Sequence, residues 1–270
     1  MNDPEYPRIS IVTPSYNQVN YIENTIKSVL SQSYSNYEYT VVDAGSSDGT
    51  QEILHKYRDR IDSIIVEPDE GQWEALVKGF GRATGDIYAW INADDYYCEN
   101  AFNLIARAYR AEPGSSAWAG TVIERDCNGR VIKRVEPVNC DKEHMPYWWV
   151  RARFHQPGCF FSASKYNGAG GIRSRYMSMD VDLWIRLSRV ADWTVIDGDI
   201  ANCVIHADAK TVAMQQYIYP DLIAMLLANH EYDAARYFME KMKEAVYNDS
   251  KFSYLLRALW RKAKKRMISL

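Results

Sequence analysis

Val41-Val-Asp-Ala-Gly-Ser-Ser-Asp-Gly-Thr50 and, further on, Ile91-Asn-Ala-Asp-Asp95 are the stretches from which the fold is read. Each is an apolar, β-type run that stops abruptly in small residues and carboxylates. Taken singly, either is an Asp-rich turn capping a helix, because Asp, Ser and Gly are what turns use. In an alternating strand and helix pattern the same carboxylates fall at the C-terminal ends of strands, where open α/β sheets bind ligands. Paired aspartates there suit a hard divalent cation, and the cation in turn suits a diphosphate.

Working outward, Ile9–Thr13 reads as a buried strand stopped by Pro14, and Asn20–Gln32 carries apolar residues at Ile22, Ile26, Val29 and Leu30, a helical repeat. Tyr37–Val42, Ile61–Glu67 and Gly85–Asn92 are further strands, with helices from Thr50 to Tyr57, Gln72 to Ala83 and Ala101 to Ala111. Strands alternating with helices predict a mostly parallel, doubly wound sheet with helices on both faces. From Trp118 the pattern changes. Ala117–Glu124 and Val131–Pro137 flank an Asn128-Gly129 hairpin signal. A strand-like segment at Phe154–Ser162, a helix at Asp180–Val190 and strands at Trp193–Ile196 and Ala201–His206 follow. Beyond Thr211 the chain reads as helices at Gln216–Asn229, Tyr232–Tyr247 and Ser253–Met267. A domain over 1–211, changing in pattern at about 115, and a helical extension over 212–270 are expected.

The chain has 270 residues and a formal charge of −3, which argues against a general nucleic-acid binder. Five cysteines lie scattered without paired spacing, which fits neither a zinc site nor a disulfide framework and suits a reducing, cytoplasmic setting. Met1 leads straight into Asn-Asp-Pro-Glu, without the basic and apolar regions of a secretory signal. Twenty Tyr and eight Trp would suit sugar or base stacking, and equally a bulky core.

Taken in order, these segments resemble the inverting GT-A glycosyltransferases of family two, the large bacterial polysaccharide group. The pieces are Ile9–Asn17, Asp43–Thr50, Glu67-Pro-Asp-Glu-Gly71, Ala83-Thr-Gly-Asp86, Asn92-Ala-Asp-Asp95, His155-Gln-Pro157 and Met179–Leu187. No piece is specific by itself; the ordered set is. The resemblance implies a GT-A fold, a nucleotide-sugar donor carrying UDP, and transfer to a glycan or lipid-linked saccharide in polysaccharide biosynthesis.

It also implies roles. Thr13, Pro14 and Tyr16 hold the nucleotide base, and Asp43 accepts a hydrogen bond from the base imide, which favours uracil. Asp69 lies near the nucleotide, with Lys78 one helix further either a phosphate partner or, as is commoner for a lone lysine, a solvated helix residue. Asp94 and Asp95 stand at the family's DXD motif, whose first Asp is here Asn92, so that which of the two binds the cation directly stays open. Hard oxygen ligands suit Mg²⁺ or Mn²⁺. Asp180 takes the place of the general base, with Met179 where Glu is more usual, and Asp182 supports it. Asp is also a preferred helix cap, and the two roles are compatible at Asp180. His206 is a candidate near the metal or diphosphate, and a lone His is as readily structural. His155, Gln156, Asp182 and Trp184 are placed on the acceptor side, and Trp73, Trp148, Trp149 and Trp184 are each either a stacking surface for sugar or a core residue.

At the C-terminus Arg257, Arg261, Lys264 and Lys265 share one helical face and Leu256, Leu259, Trp260, Ala263 and Met267 the other. That is the form of an interfacial helix drawn to anionic lipid, at the inner face of the cytoplasmic membrane, or of an amphipathic helix on the protein's own surface. Two other classes compete. A sugar-nucleotide pyrophosphorylase needs a Gly-rich, Arg-containing loop after the first strand, which Pro14-Ser-Tyr-Asn-Gln18 does not supply. A catalytically inactive sugar-nucleotide-binding or scaffold subunit would fit Asn92 and Met179, but not the intact Asp94, Asp95 and Asp180.

Overall fold

Ile9–Ser15 (β1), Tyr37–Asp43 (β2), Ser63–Val66 (β3) and Ile87–Trp90 (β4) lie parallel, in the order β3-β2-β1-β4. The structure, a computed structural model, describes residues 6–173, 176–206 and 218–248, with side chains to residue 244. Every residue of β1 is buried, as expected of a parallel strand covered on both faces. On one face Ile9, Ile11, Tyr39, Val41, Ile87 and Ala89 meet the apolar sides of helices α1 (Ile22–Leu30), α2 (Thr50–Tyr57) and α4 (Ala101–Ala111). On the other, helix α3 (Gln72–Phe80) lies against β1 so closely that a Cβ at Gly79 would collide with Val12. There the Phe80 ring sits among Tyr88, Trp90, Phe161 and Tyr166, at centroid distances of 5.1–6.4 Å.

The second half of the sheet is mixed. Tyr96–Tyr97 (β5), Ala117–Asp126 (β6), Val131–Val135 (β7), Cys159–Ser162 (β8) and Trp193–Ile205 (β9) continue the order as β4-β8-β6-β9-β5, with β7 beside β6. β6 and β7 form an antiparallel hairpin whose turn is closed by Asp126 Oδ1, which accepts from Asn128 N and Arg130 N at 2.9 Å each. Two strands are expected over 193–206; one strand, Trp193–Ile205, is found, parallel to β6 with its register shifted around Ala119–Val122. Glycine on both strands allows this. A Cβ at Gly120 would run into Ile200, and one at Gly198 would stand 2.8 Å from Leu104 Cδ1.

Helices α5 (Ala163–Gly168), α6 (Met179–Val190), α7 (Ile218–Ala228) and α8 (Tyr232–Asn248) complete the described elements. Trp184 corrects an expectation. It is 0% exposed and packs its indole against Trp148, Phe154 and Trp193, so it is core and offers no face to a sugar. Of the described residues, those of 1–173 and 183–206 form one compact unit, and those of 174–182 and 207–270 the second. In the second, Leu222, Ile223, Met225 and Leu226 of α7 and Ala234, Ala235, Phe238 and Met242 of α8 are buried. The helix expected at Ser253–Met267, with its basic and apolar faces, lies outside the described residues. No helix among the described residues is long and apolar enough to cross a membrane.

The turn before α2 yields a prediction. Gly49, at the helix start, has φ +104°, and a Cβ there would stand 3.2 Å from Val19 Cγ2. Left-handed backbone costs a non-glycine residue roughly 1–2 kcal/mol. Gly49→Ala is therefore expected to lower stability by about that much in urea unfolding; an unchanged midpoint would show that the turn relaxes without strain.

Candidate active site

Parallel register brings the strand ends to one edge of the sheet. Ser15 stands opposite Asp43, Asp43 opposite Val66, and Val12 opposite Trp90, two residues before Asn92. The loop after β1 and the loop after β2 are bonded to each other. Asn17 N donates to Ser46 Oγ (2.7 Å), Gln18 N to Thr50 Oγ1 (2.9 Å), Val19 N to Asp48 Oδ2 (3.0 Å), and Ser47 N to Asn17 Oδ1 (3.0 Å). Asn17 adopts φ +52° to make this exchange, a conformation Asn tolerates better than most residues.

Within this edge the expected residues take different places. Tyr16 is 60% exposed, while Thr13 is buried and accepts from the Tyr39 hydroxyl at 3.0 Å. Asp43 is wholly buried. Its Oδ1 accepts from Gly45 N (3.1 Å) and Ser46 N (2.8 Å), and its Oδ2 from Ser46 Oγ (2.6 Å). Asp69 Oδ1 accepts from Gly71 N at 2.8 Å, and burial holds its carboxyl above the ordinary range. Lys78 is held by protein groups. Its Nζ lies 3.0 Å from Glu67 Oε1 and 3.3 Å from Glu74 Oε1 and donates to Pro68 O at 3.0 Å, tying the loop after β3 to α3.

After β4 the two aspartates part company. Asp95 is buried, accepts from Val204 N of β9 at 3.0 Å, and is pushed well above the usual carboxylate range by burial and then by the charge of Asp94. The carbonyls of Ala93 and Asp95 share the hydroxyl of Thr25 from α1, at 2.8 and 2.6 Å. Asp94 turns outward, with its side chain 21% exposed and Oδ2 3.0 Å from Nε2 of His206. The His206 ring stacks on Tyr21 (centroids 4.7 Å apart, 26° between planes), and its Nδ1 is buried without a partner. Asn92 Oδ1 accepts from Gln72 Nε2 at 2.6 Å.

The Asp94–His206 pair joins a hard carboxylate oxygen to a borderline imidazole nitrogen, a set that a divalent cation such as Mn²⁺ can take. A carboxylate and an imidazole face each other at hydrogen-bond distance, and one ring nitrogen remains unpartnered. No group of three or more His, Cys, Asp or Glu that could hold a metal occurs among the described residues. Two protein ligands are what is expected where diphosphate oxygens and water complete the shell.

The segment of His155 and Gln156 packs beside this edge. Gln156 Nε2 donates to Trp90 O at 2.8 Å, and its Oε1 is buried without a partner. His155 Nε2 lies 2.8 Å from Glu124 Oε1. Burial depresses the His155 imidazolium, so the ring is neutral near pH 7. Burial alone would raise Glu124, but the hydrogen bond from His155, with the charge of Lys133, holds its carboxylate below the ordinary range. An ionised carboxylate only accepts, so Nε2 carries the His155 proton. Glu124 escaped the sequence reading, as did Tyr21, Thr25 and the Gln72–Asn92 bond. The one signal for Glu124 was an acid directly after the apolar run Ala117–Ile123, within the same strand.

In the second unit, Asp180 lies in the first turn of α6, and its Oδ1 accepts from Val181 N at 2.8 Å. Asp182 is 2% exposed, and its Oδ1 accepts from Asn229 Nδ2 at 2.7 Å.

Residues 10–167 match the family model described as glycosyl transferase family 2. Among characterised and uncharacterised relatives, the putative teichuronic acid biosynthesis glycosyltransferase TuaG of Bacillus subtilis is 41% identical over 92 residues, 33% of this chain and 36% of TuaG. A glycosyltransferase of Rickettsia felis is 30% identical over 197 residues, 68% of this chain and 32% of that protein. The matched stretches thus span about a third of these relatives' own length. Among solved structures, S. aureus TarS 1-349 in complex with UDP-GlcNAc superposes with a TM-score of 0.68 at 15% identity, covering 95% of this chain and 79% of that one. The mannosyltransferase PcManGT of Pyrobaculum calidifontis, in complex with GDP-Man and Mn²⁺, gives 0.62 at 15% identity, covering 98% and 88%. At these identities the superpositions speak for the fold, which is the GT-A fold.

Proposed function

Because the chain belongs to glycosyl transferase family 2, we propose that it transfers a sugar, with inversion, from a UDP-sugar to a hydroxyl of a glycan or lipid-linked saccharide in polysaccharide assembly. The observation that carries this reading is the pairing of a partly exposed Asp94 carboxylate with the buried His206 imidazole, on the edge where β1, β2 and β3 also end. TuaG, named for teichuronic acid biosynthesis, supports the polysaccharide context, and the TarS complexes with UDP-GlcNAc and UDP support the donor class.

In this reading the uridine lies at the joined loops after β1 and β2, with Tyr16 offering its exposed ring and Thr13 and Pro14 forming the floor. Asp43 reads the base imide once the Ala44–Ser46 turn that now occupies its carboxylate opens. Asp94 and His206 would hold Mn²⁺ or Mg²⁺, which supplies Lewis-acid stabilisation of the charge on the departing diphosphate. Asp95, tied to β9 through Val204 N, fixes the turn from which Asp94 projects. Asp69 and Asn92 flank the donor, the latter held by Gln72.

Asp180 is the base. The acceptor oxygen bonds to the anomeric carbon, and its proton passes to the Asp180 carboxylate. The bond from that carbon to the diphosphate breaks, its electron pair leaving with the nucleoside diphosphate. Glu124, His155 and Gln156 border the acceptor side. The Ser253–Met267 stretch would bring the enzyme to the inner face of the cytoplasmic membrane.

A panel of UDP-glucose, UDP-galactose, their N-acetylamino counterparts and GDP-mannose tests this, with nucleoside diphosphate release measured in Mn²⁺ and in EDTA. Release from a UDP-sugar that stops in EDTA is expected. Absence of release from every donor, or release indifferent to EDTA, would overturn the reading.

A further inference from the structure

We infer that Asp221, at the start of α7, is a positioning residue for Asp180; this rests on Asp180 as the base. The two sit 41 residues apart in sequence, yet Asp221 binds the segment that leads into the Asp180 turn. Its Oδ1 accepts from Met177 N at 2.9 Å, and its Oδ2 from Ser178 N at 2.9 Å and from Ser178 Oγ at 2.7 Å.

Ser178 stands where a helix cap stands, since its carbonyl accepts the first α6 bond from Asp182 N at 3.1 Å. A serine there ordinarily turns its hydroxyl onto the helix N–H groups. Here the hydroxyl is given to Asp221 instead, and the carboxylate takes up two backbone N–H groups ahead of the helix. One anion accepting three hydrogen bonds from two adjacent residues holds both backbone and side chain, and charge-assisted bonds are the stronger kind. Negative charge near a helix N-terminus is also favourable by the helix dipole.

The far end of α7 holds the other side of the same turn. Asn229, just past Ala228 and buried, donates through Nδ2 to Asp182 Oδ1 at 2.7 Å and to Met225 O at 3.0 Å. Asp180 thus lies between two residues, Ser178 and Asp182, that are each fastened to an end of one helix. A base works only at hydrogen-bond reach of the proton it takes, and displacement of about 1 Å can cost on the order of 10²-fold in rate. The helical extension thereby enters the chemistry through the aim of one carboxylate.

Asp221→Ala removes all three bonds without touching Asp180. Release of UDP from the donor that the wild type turns over, with water or saccharide as acceptor, is expected to slow by about 10- to 100-fold. The KM for that donor and the Kd for UDP should stay within about twofold, a split that general damage to the fold would not produce. In the wild type the Met177 and Ser178 amides should be protected from hydrogen exchange, and in the variant they should lose that protection. Should Asp221→Ala fail to fold, Asp221→Asn, which keeps one acceptor oxygen, carries the same comparison.

Wild-type turnover in the variant, a rise in donor KM matching the loss in kcat, or unprotected amides in the wild type would each overturn the inference. An Asp180→Asn variant in parallel separates it from the premise. Full activity there removes the base assignment, whereas loss there beside full activity in Asp221→Ala removes only the positioning role.

Discussion

Asp180→Asn is expected to slow sugar transfer by about 10²–10⁴-fold, the usual cost of losing a general base, while UDP still binds with near wild-type affinity. The amide fills the space of the carboxylate and can still accept from Val181 N, so the first turn of α6 keeps its local bond. What it loses is the capacity to take the acceptor's proton. Single-turnover kinetics with the productive UDP-sugar, beside calorimetry with UDP, separate the two effects. Turnover close to wild type would remove Asp180 as the base. Asp182 would not replace it, because that carboxylate is buried against Asn229.

The second large effect is expected at the outward aspartate. Asp94→Asn should weaken Mn²⁺-dependent UDP binding by about 100-fold or more, since loss of even a supporting residue around a metal commonly costs 10- to 100-fold. UDP binding in EDTA should change little, because the joined loops after β1 and β2 are untouched. Asp95→Asn offers the contrast. Its carboxylate is buried and accepts from Val204 N, so its replacement should act through stability and less through the metal response. Equal loss of metal-dependent binding in both variants would return the direct-ligand question to an open state.

Much of the sheet was legible because its signals are local. Buried parallel strands read as continuous apolar runs, as Ile9–Thr13 and Tyr37–Val42 do, and the turn before Thr50 declares itself through Gly and Asp. The Asp94-Asp95 pair was visible as a pair, but the division of labour within it was not. Which carboxylate turns outward depends on β9, more than a hundred residues later, whose Val204 N claims Asp95. For Lys78 and Trp184 the sequence left two readings open. Glu74, four residues before Lys78 on α3, is a partner the spacing offers, whereas Glu67 and the Phe154–Trp193 cluster are brought to Lys78 and Trp184 only by folding. Asp221 carried no signal at all, because a carboxylate that accepts backbone N–H groups from 177–178 looks in sequence like any acid in a first helical turn.

The four hydrogen bonds that join Asn17, Gln18 and Val19 to Ser46, Ser47, Asp48 and Thr50 also constrain how such a protein can diverge. All four pair a backbone group of one loop with a side chain of the other, so a substitution in either loop is judged by the other's backbone. Drift at one of these positions is therefore tolerated mainly when its counterpart drifts with it. The two segments act as a single structural module, and grafting one of them from a relative without the other would leave backbone donors and side-chain acceptors mismatched across the seam.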